Sequence, residues 1–489
     1  MKQFIQKLWI GIAMLCLSFT ASAYDFEVDG ICYNVIDPAE MTCGVSGTTE
    51  SLDLSGDIVI PSQVSFLGKT LTVIKIMDSA FNETNIVNIN LPNACTSIGD
   101  WAFKNCEKLQ SINLPEGVTS IGDFTFSGCS SLTQITLPEK ITSIGESVFS
   151  ECSSLTQITL PEKLTSIGEW AFFSCRSLTQ ITLPEKLTSI GRSAFNECSA
   201  LKQINIPDGV TSIGYFTFSG CSSLTQITLP EKITSIGESA FSECSSLTQI
   251  TLPEKITSIG EGVFSGCSSL TQLHIPDGVT SIGDMSFFYC SSLTQISLPE
   301  KITSIGDGAF SGCRSLMQIH IPDGVTSIGY FTFSGCSSLT QITLPEKLTS
   351  IGRGAFNECS ALTQINIPDG VTRIDAYAFN ECSSLKQIHI PDGVTSIEES
   401  TFEKCSSLTQ ITLPEKLTII GKDAFNQCSA LKEISVKSTT PPSFEYNTWR
   451  YDIYEKCSLK VPVGTLNAYK SAYVWKNFRN IEECDFSGV

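Results

Sequence analysis

Fifteen cysteines, Cys106 through Cys428, follow one another at intervals of 23 residues. No other feature constrains the fold as much. A fixed period in the twenties marks a solenoid, in which one short unit stacks on copies of itself. One unit, Ile141 to Lys163, reads ITSIGESVFSECSSLTQITLPEK. Pro207 to Lys232 is identical to Pro322 to Lys347 at an offset of 115 residues, or five periods, so whole blocks of units have been duplicated. A chain of 489 residues would ordinarily suggest about three domains, and the period replaces that expectation with one repeating array.

Each unit has a physical reading. In Leu155-x-x-Ile158-x-Leu160 the apolar residues alternate with Gln157 and Thr159, which predicts a short strand with one face inward and one outward. Pro161-Glu162-Lys163, or Pro207-Asp208-Gly209 in the sister version, predicts a type I turn with Pro at its second position. Leu164-Thr165-Ser166-Ile167-Gly168 predicts a second short strand on the opposite wall, and a tight helical turn is expected around Ala171, Phe172 and Cys175. Ile141, Ile144, Phe149, Cys152, Leu155, Ile158 and Leu160 are the expected inward side chains of one coil. They bury only against neighbouring coils, so the ends must differ from the middle.

They do differ. Val73 to Leu91 is a degenerate first coil, with Phe81 and Ile86 five residues apart instead of six and Thr84 in the cysteine position. Ile58-Val59-Ile60-Pro61 imitates the end of a repeat strand, and Leu67-Gly68-Lys69 looks like a hairpin. Residues 24–72 are therefore expected to form an N-terminal cap, 73–436 the solenoid and 437–489 a C-terminal cap. In the last of these, a strand-like Leu459-Lys460-Val461-Pro462 precedes an expected helix from Thr465 to Phe478, whose Leu466, Tyr469, Tyr473 and Trp475 would seal the core.

Units such as ITSIGESAFSECSSLTQITLPEK resemble the BspA-like leucine-rich repeats of bacterial surface and secreted proteins. The segments YDFEVDGICYNV and VPVGTLNAYKSAYVWKNFRNI are similar to those that flank such arrays. The resemblance covers nearly the whole chain after residue 23. It implies a leucine-rich repeat solenoid, β-rich, with a long parallel sheet and short helical turns, capped at both ends. It also implies adhesion to other macromolecules as the function. Plain leucine-rich repeats carry Asn or Cys after the Leu-x-Leu. Here a Pro turn follows and Cys precedes the strand, which sets the chain apart from receptor-type repeats of eukaryotes.

Residues 1–23 read as a secretory signal peptide. Lys2 and Lys7 precede an apolar run from Leu8 to Phe19, and Ala21-Ser22-Ala23 suits cleavage after Ala23. That run is too short for a membrane span, which needs about 20 residues. The expectation is a secreted or cell-surface protein with no membrane span. The 31 basic and 50 acidic residues give a net charge of −19, which repels phosphate backbones and argues against nucleic acid as a partner. The expected partners are host or bacterial surface and extracellular proteins. Glycans are the alternative, and a passive structural spacer is a third reading.

No cluster of acid, base and nucleophile departs from the repeat, so no catalysis and no cofactor are expected. His274, His320 and His389 occupy one repeat position two and three coils apart, too far for a shared metal at about 2 Å from each nitrogen. The ladder cysteines suit a buried, unpaired stack, because parallel side chains keep Cβ atoms farther apart than the ~3.8 Å a disulfide prefers. Cys32 and Cys43 are better disulfide candidates, and Cys457 extends the ladder. The outward Gln ladder runs from Gln134 to Gln410, 13 residues in all, and is either self-bonded amides or a polar binding face. Gln249, Gln272, His274, Gln295, Gln318, His320, Gln387 and His389 are the candidate protein-binding residues on that face. A second stripe, Trp101, Phe124, Trp170, Phe216, Met285, Phe331 and Tyr377, alternates mostly with Gly or Ser, which suggests rings folded over the next coil.

Overall fold

A computed structural model describes residues 24–49, 54–445, 449 and 451–486. The expected signal peptide lies outside them. The chain forms two compact units, Met1–Ile233 and Thr234–Val489, each a stack of 23-residue coils.

In the first unit, alternation places Gln-Ile-Thr segments as strands with the isoleucine buried and its neighbours exposed. Gln134–Thr136 pairs in parallel and in register with Gln157–Thr159. On the other wall Ser143–Ile144, Ser166–Ile167 and Ser189–Ile190 pair in the same way. The seven expected inward residues of the Ile141 unit are all buried, and Val148 joins them. Phe103, Phe126, Phe149, Phe172 and Phe195 stack ring on ring with centroids 5.3 to 5.6 Å apart. Gly168 is required by close approach, since a Cβ there would lie 2.5 Å from the backbone of Gly145. The second unit repeats these features, with stacked phenylalanines from Phe241 to Phe425 and strands such as Gln272–His274 on Gln295–Ser297.

One local expectation changes. The proline turn is displaced by one residue: Leu164 N donates to Pro161 O and Val210 N to Pro207 O, so proline stands first in the turn. Closing the turn on the next coil's first inward residue fixes where that side chain enters the core. The tight turn expected after the second strand is a run of single turns. Phe173 N donates to Trp170 O, and Cys175 N to Phe172 O. The N–H groups of Trp170, Phe172 and Ser174 instead reach Arg192 O, Ala194 O and Asn196 O of the next coil at 2.8 to 2.9 Å. Left-handed backbone at Trp170 (φ 57°) and Ser174 (φ 54°) turns those donors along the stack, which a continuous helix could not do.

At the start, β1 (Phe26–Val28), β2 (Ile31–Asp37) and β3 (Thr42–Thr48) form an antiparallel meander. β4 (Ser55–Val59) joins the outward-glutamine wall by pairing with Asn85–Asn90. β5 (Gln63–Phe66) and β6 (Lys69–Ile76) make the expected hairpin, and β6 pairs with β3 and with Ser97–Ile98. Thr84 stands in for the missing thiol, donating to Phe81 O and lying 3.3 Å from Cys106 Sγ.

At the other end the expected helix is shorter: Leu466–Ser471, then a single tight turn at Trp475–Asn477. Ala472 is extended and Val474 has φ 71°, which breaks the helix between them. Tyr469 and Trp475 are buried as expected, bonding Ser438 O and Pro442 O. Tyr473, expected to seal the core, is 70% exposed. A short helix at Tyr451–Lys456 and a final strand at Asn480–Cys484 carry no repeat signature and were not anticipated.

Candidate functional site

In each unit the outward wall of Gln-Ile-Thr strands offers a periodic polar surface. All eight candidate residues are exposed on it. Gln272 is in register with Gln295 and His274 with Ser297, while Gln318 and His320 face Gln341 and Thr343 of the adjoining strand. Gln249 lies in a coil whose glutamine segment is not a strand. Amides can bond along the ladder: Gln157 Nε2 donates to Gln134 Oε1 at 3.1 Å. The three histidines stand in separate coils. His320 lies 3.6 Å from Glu300 and His389 3.9 Å from Asp369. Among the described residues no group of three or more His, Cys, Asp or Glu side chains is placed to hold a metal ion.

The wall is not uniform. At 180–182, 249–251, 364–366 and 387–388 the glutamine segment drops out of strand pairing. Two of these adjoin in the second unit and open a shallow groove of about 630 Å³. Gln364, Asn366, Gln387, His389, Gln410 and Thr412 line it. A smaller one, about 440 Å³, lies over Gln180, Thr182, Gln203 and Asn205 in the first unit. Only Gln387 and His389 of the groove were among the singled-out candidates. The sequence carries no sign of the gap, because Gln-Ile-Asn is unpaired at 364–366 yet forms a strand at Gln203–Asn205. The groove lining carries no Asp, Glu, Lys or Arg, so what it offers is hydrogen-bonding groups.

The cysteines lie inside, away from this face. Among the described residues no cysteine is in a disulfide, and all but Cys484 are buried. Ladder thiols donate to a carbonyl one coil back, as Cys175 does to Phe149 O at 3.1 Å and Cys313 to Phe287 O at 3.2 Å. Cys457 continues the pattern on Leu431 O. Cys32 and Cys43 do not form the disulfide considered for them. In the antiparallel pair Cys32 faces Gly47 and Cys43 faces Val35, so neither is the other's cross-strand partner. In the aromatic stripe, the Phe331 ring lies against Gly354 of the next coil and leaves no room for a Cβ there. Met285 lies more loosely over Gly308, with its Cγ 3.6 Å from where a Cβ would stand.

Parallel strands in register, a stacked core and a polar outer wall define a leucine-rich repeat solenoid. The family model for the BspA type leucine rich repeat region matches residues 74–202, 166–294, 257–374 and 349–462, and the chain belongs to that family. It is similar to the crystal structure of a leucine-rich repeat protein from Bacteroides ovatus, with 30% identity and a TM-score of 0.64 over 90% of this chain and 100% of that one. A leucine rich cell surface protein from Faecalibacterium prausnitzii is 26% identical over 80% of this chain and 95% of its own, with a TM-score of 0.44. No curated protein matches. Among the described residues no helix is long and apolar enough to cross a membrane.

Proposed function

We propose that this is an exported, non-catalytic adhesion protein that holds a host or bacterial extracellular protein on its glutamine wall, centred on the groove between Gln341 and Thr412. The observation that carries this reading is the groove itself. It is a concavity of about 630 Å³ on the wall where successive coils present Gln followed two residues on by Thr, Asn, Ser or His. A solenoid wall of this kind suits an extended partner, and neutral contacts make adhesion only weakly dependent on salt. Export rests on the signal-like residues 1–23.

The test is adhesion of the protein to a panel of extracellular-matrix and bacterial surface proteins, read beside melting temperature. Replacing Gln364, Gln387 and Gln410 with Lys should lower adhesion about tenfold, because the partner would bury unpaired charge. The lysines reach solvent in the free protein, so melting should shift by no more than about a few degrees. The same change at Gln249, Gln272 and Gln295 reports whether the wall beyond the groove takes part. Unchanged adhesion in both variants, with melting intact, would remove binding from this face.

A further inference from the structure

The turn ridge, on a different side of each coil from the glutamine wall, carries a second constellation. One residue past the repeat glycine position, fifteen coils carry mostly acids, and arginine occurs there only at Arg192 and Arg353. A Tyr-Phe pair also occurs twice on this ridge, as Tyr215-Phe216 and Tyr330-Phe331. Arg192 lies one coil before the first pair and Arg353 one coil after the second. The same juxtaposition therefore arises in both orders, once in each compact unit, and copying of a single block does not produce that.

The side chains place a guanidinium over a ring both times, over two rings in the first unit and over one in the second. In the first unit the Arg192 guanidinium is 5.9 Å from the ring centres of both Trp170 and Phe216. In the second, Arg353 is 4.8 Å from the centre of Tyr377, and the neighbouring Phe331 ring rests on Gly354. The rings flanking each arginine are two coils apart, about 10 Å at ~4.8 Å per coil. Tyr215, Tyr330 and Phe331 are 49%, 47% and 43% exposed. Arg176, Arg373 and Arg479 are ion-paired. Among the described residues neither Arg192 nor Arg353, nor Arg314 elsewhere in the second unit, has a carboxylate within ion-pair distance.

The fold does not require these rings. Trp170, Phe216, Phe331 and Tyr377 all sit in left-handed backbone, with φ between 52° and 62°, where a bulky L-residue is strained. Sister coils meet the same geometry with Ser147, Ser239, Gly262 or Gly308. Trp170, Phe216 and Tyr377 are half-buried and Phe331 is exposed, and strain retained at rings that still reach solvent points to a ligand. An aromatic face that rests on backbone and opens outward suits a flat, rigid ring with an apolar C–H side. A guanidinium fork beside it suits a carboxylate. One chemical class carries both groups on one rigid ring: a carboxylate-bearing pyranose, a uronic or sialic acid. An acidic peptide offers the charge without the flat apolar face.

We propose that Trp170–Arg192–Phe216 and Phe331–Arg353–Tyr377 are two binding sites for acidic carbohydrate, separate from the glutamine wall. The test titrates the full chain with hyaluronan oligosaccharides, with the same oligosaccharides after carboxyl reduction, and with poly-glutamate, by calorimetry. The intact acidic oligosaccharides should bind, and carboxyl reduction should weaken binding about tenfold. Arg192→Gln with Arg353→Gln should weaken it by a similar factor, and so should Trp170→Ser with Phe331→Ser, which installs the residue sister coils already carry. Absence of binding by the acidic oligosaccharides would overturn the proposal. So would binding that survives both pairs of substitutions, or poly-glutamate binding as tight as the sugar.

Discussion

A single cysteine in this array does two things at once. Its sulfur fills the core between stacked phenylalanines, and its S–H supplies a donor to a carbonyl that faces inward, as Cys290 does to Phe264 O at 3.1 Å. Burial disfavours the thiolate, so Cys290, Cys336, Cys382 and Cys428 are each pushed from 9.0 up to about 12, with desolvation the largest cause. The direction fixes a pH dependence. A folded pKa above the unfolded one means that the buried thiol's contribution is complete below pH 9 and is lost as pH rises from 9 towards 12. In that window each such thiol should lower stability by about 1.4 kcal/mol per pH unit, since only the unfolded chain ionises. Urea unfolding followed across the window should show a steep fall, and Cys290→Ala with Cys336→Ala should make it shallower. A flat profile would mean the thiols are not buried. The cysteine positions were legible from their period. Their donor role was not, because it depends on a carbonyl 26 residues back in a neighbouring coil.

At the scale of the coil, repetition made most elements readable. A Gln-Ile-Thr strand and a Ser-Ile strand recur at fixed offsets, and each error averages out over many copies. Sequence reasoning misplaced the phase of the proline turn by one residue, and it carried no sign of the left-handed backbone at Trp170 and Ser174, whose donors bond the next coil. It also missed what occurs only once, such as Tyr451–Lys456 and Asn480–Cys484. Because a coil bonds chiefly to the coils on either side, its removal should be tolerated. Deleting Ile141 to Lys163 brings Leu164 into the place of Ile141 and keeps Gly168 above Gly122, so strand register and the glycine approach both survive. The deletion variant should fold cooperatively with an unchanged circular-dichroism shape. Deleting a number of residues that is not a multiple of the period, such as Ile141 to Ser150, should unfold the first unit. Equal damage from both deletions would contradict the coil as the building block.

For the whole molecule, the open end of a stack of apolar coils must be covered, and the acidic surface must keep the covered molecules apart. We propose that residues 437–489 serve as that cover in the second unit. Phe425, the last ring of its stack, lies 4.9 Å from Trp449, and Trp475 and Phe478 pack around it in turn. Trp475 Nε1 donates to Pro442 O and Tyr469 Oη to Ser438 O, so these two rings are anchored as well as buried. The exposed edge strand beyond it, Asn480–Cys484, carries Glu482 and Glu483, charges that discourage another copy from adding to the sheet. Truncation after Ser438 removes the aromatic cover and this guarded edge together. The truncated chain should associate in a concentration-dependent way by light scattering. Trp475→Ala, which empties the cluster without removing the edge, should instead lower stability by about 3–5 kcal/mol while the chain stays monomeric. Tyr473→Ser, at a side chain 70% exposed, should do neither. A truncated chain that remains monomeric with an unchanged melting temperature would show that the coils close themselves, and the capping role would fall.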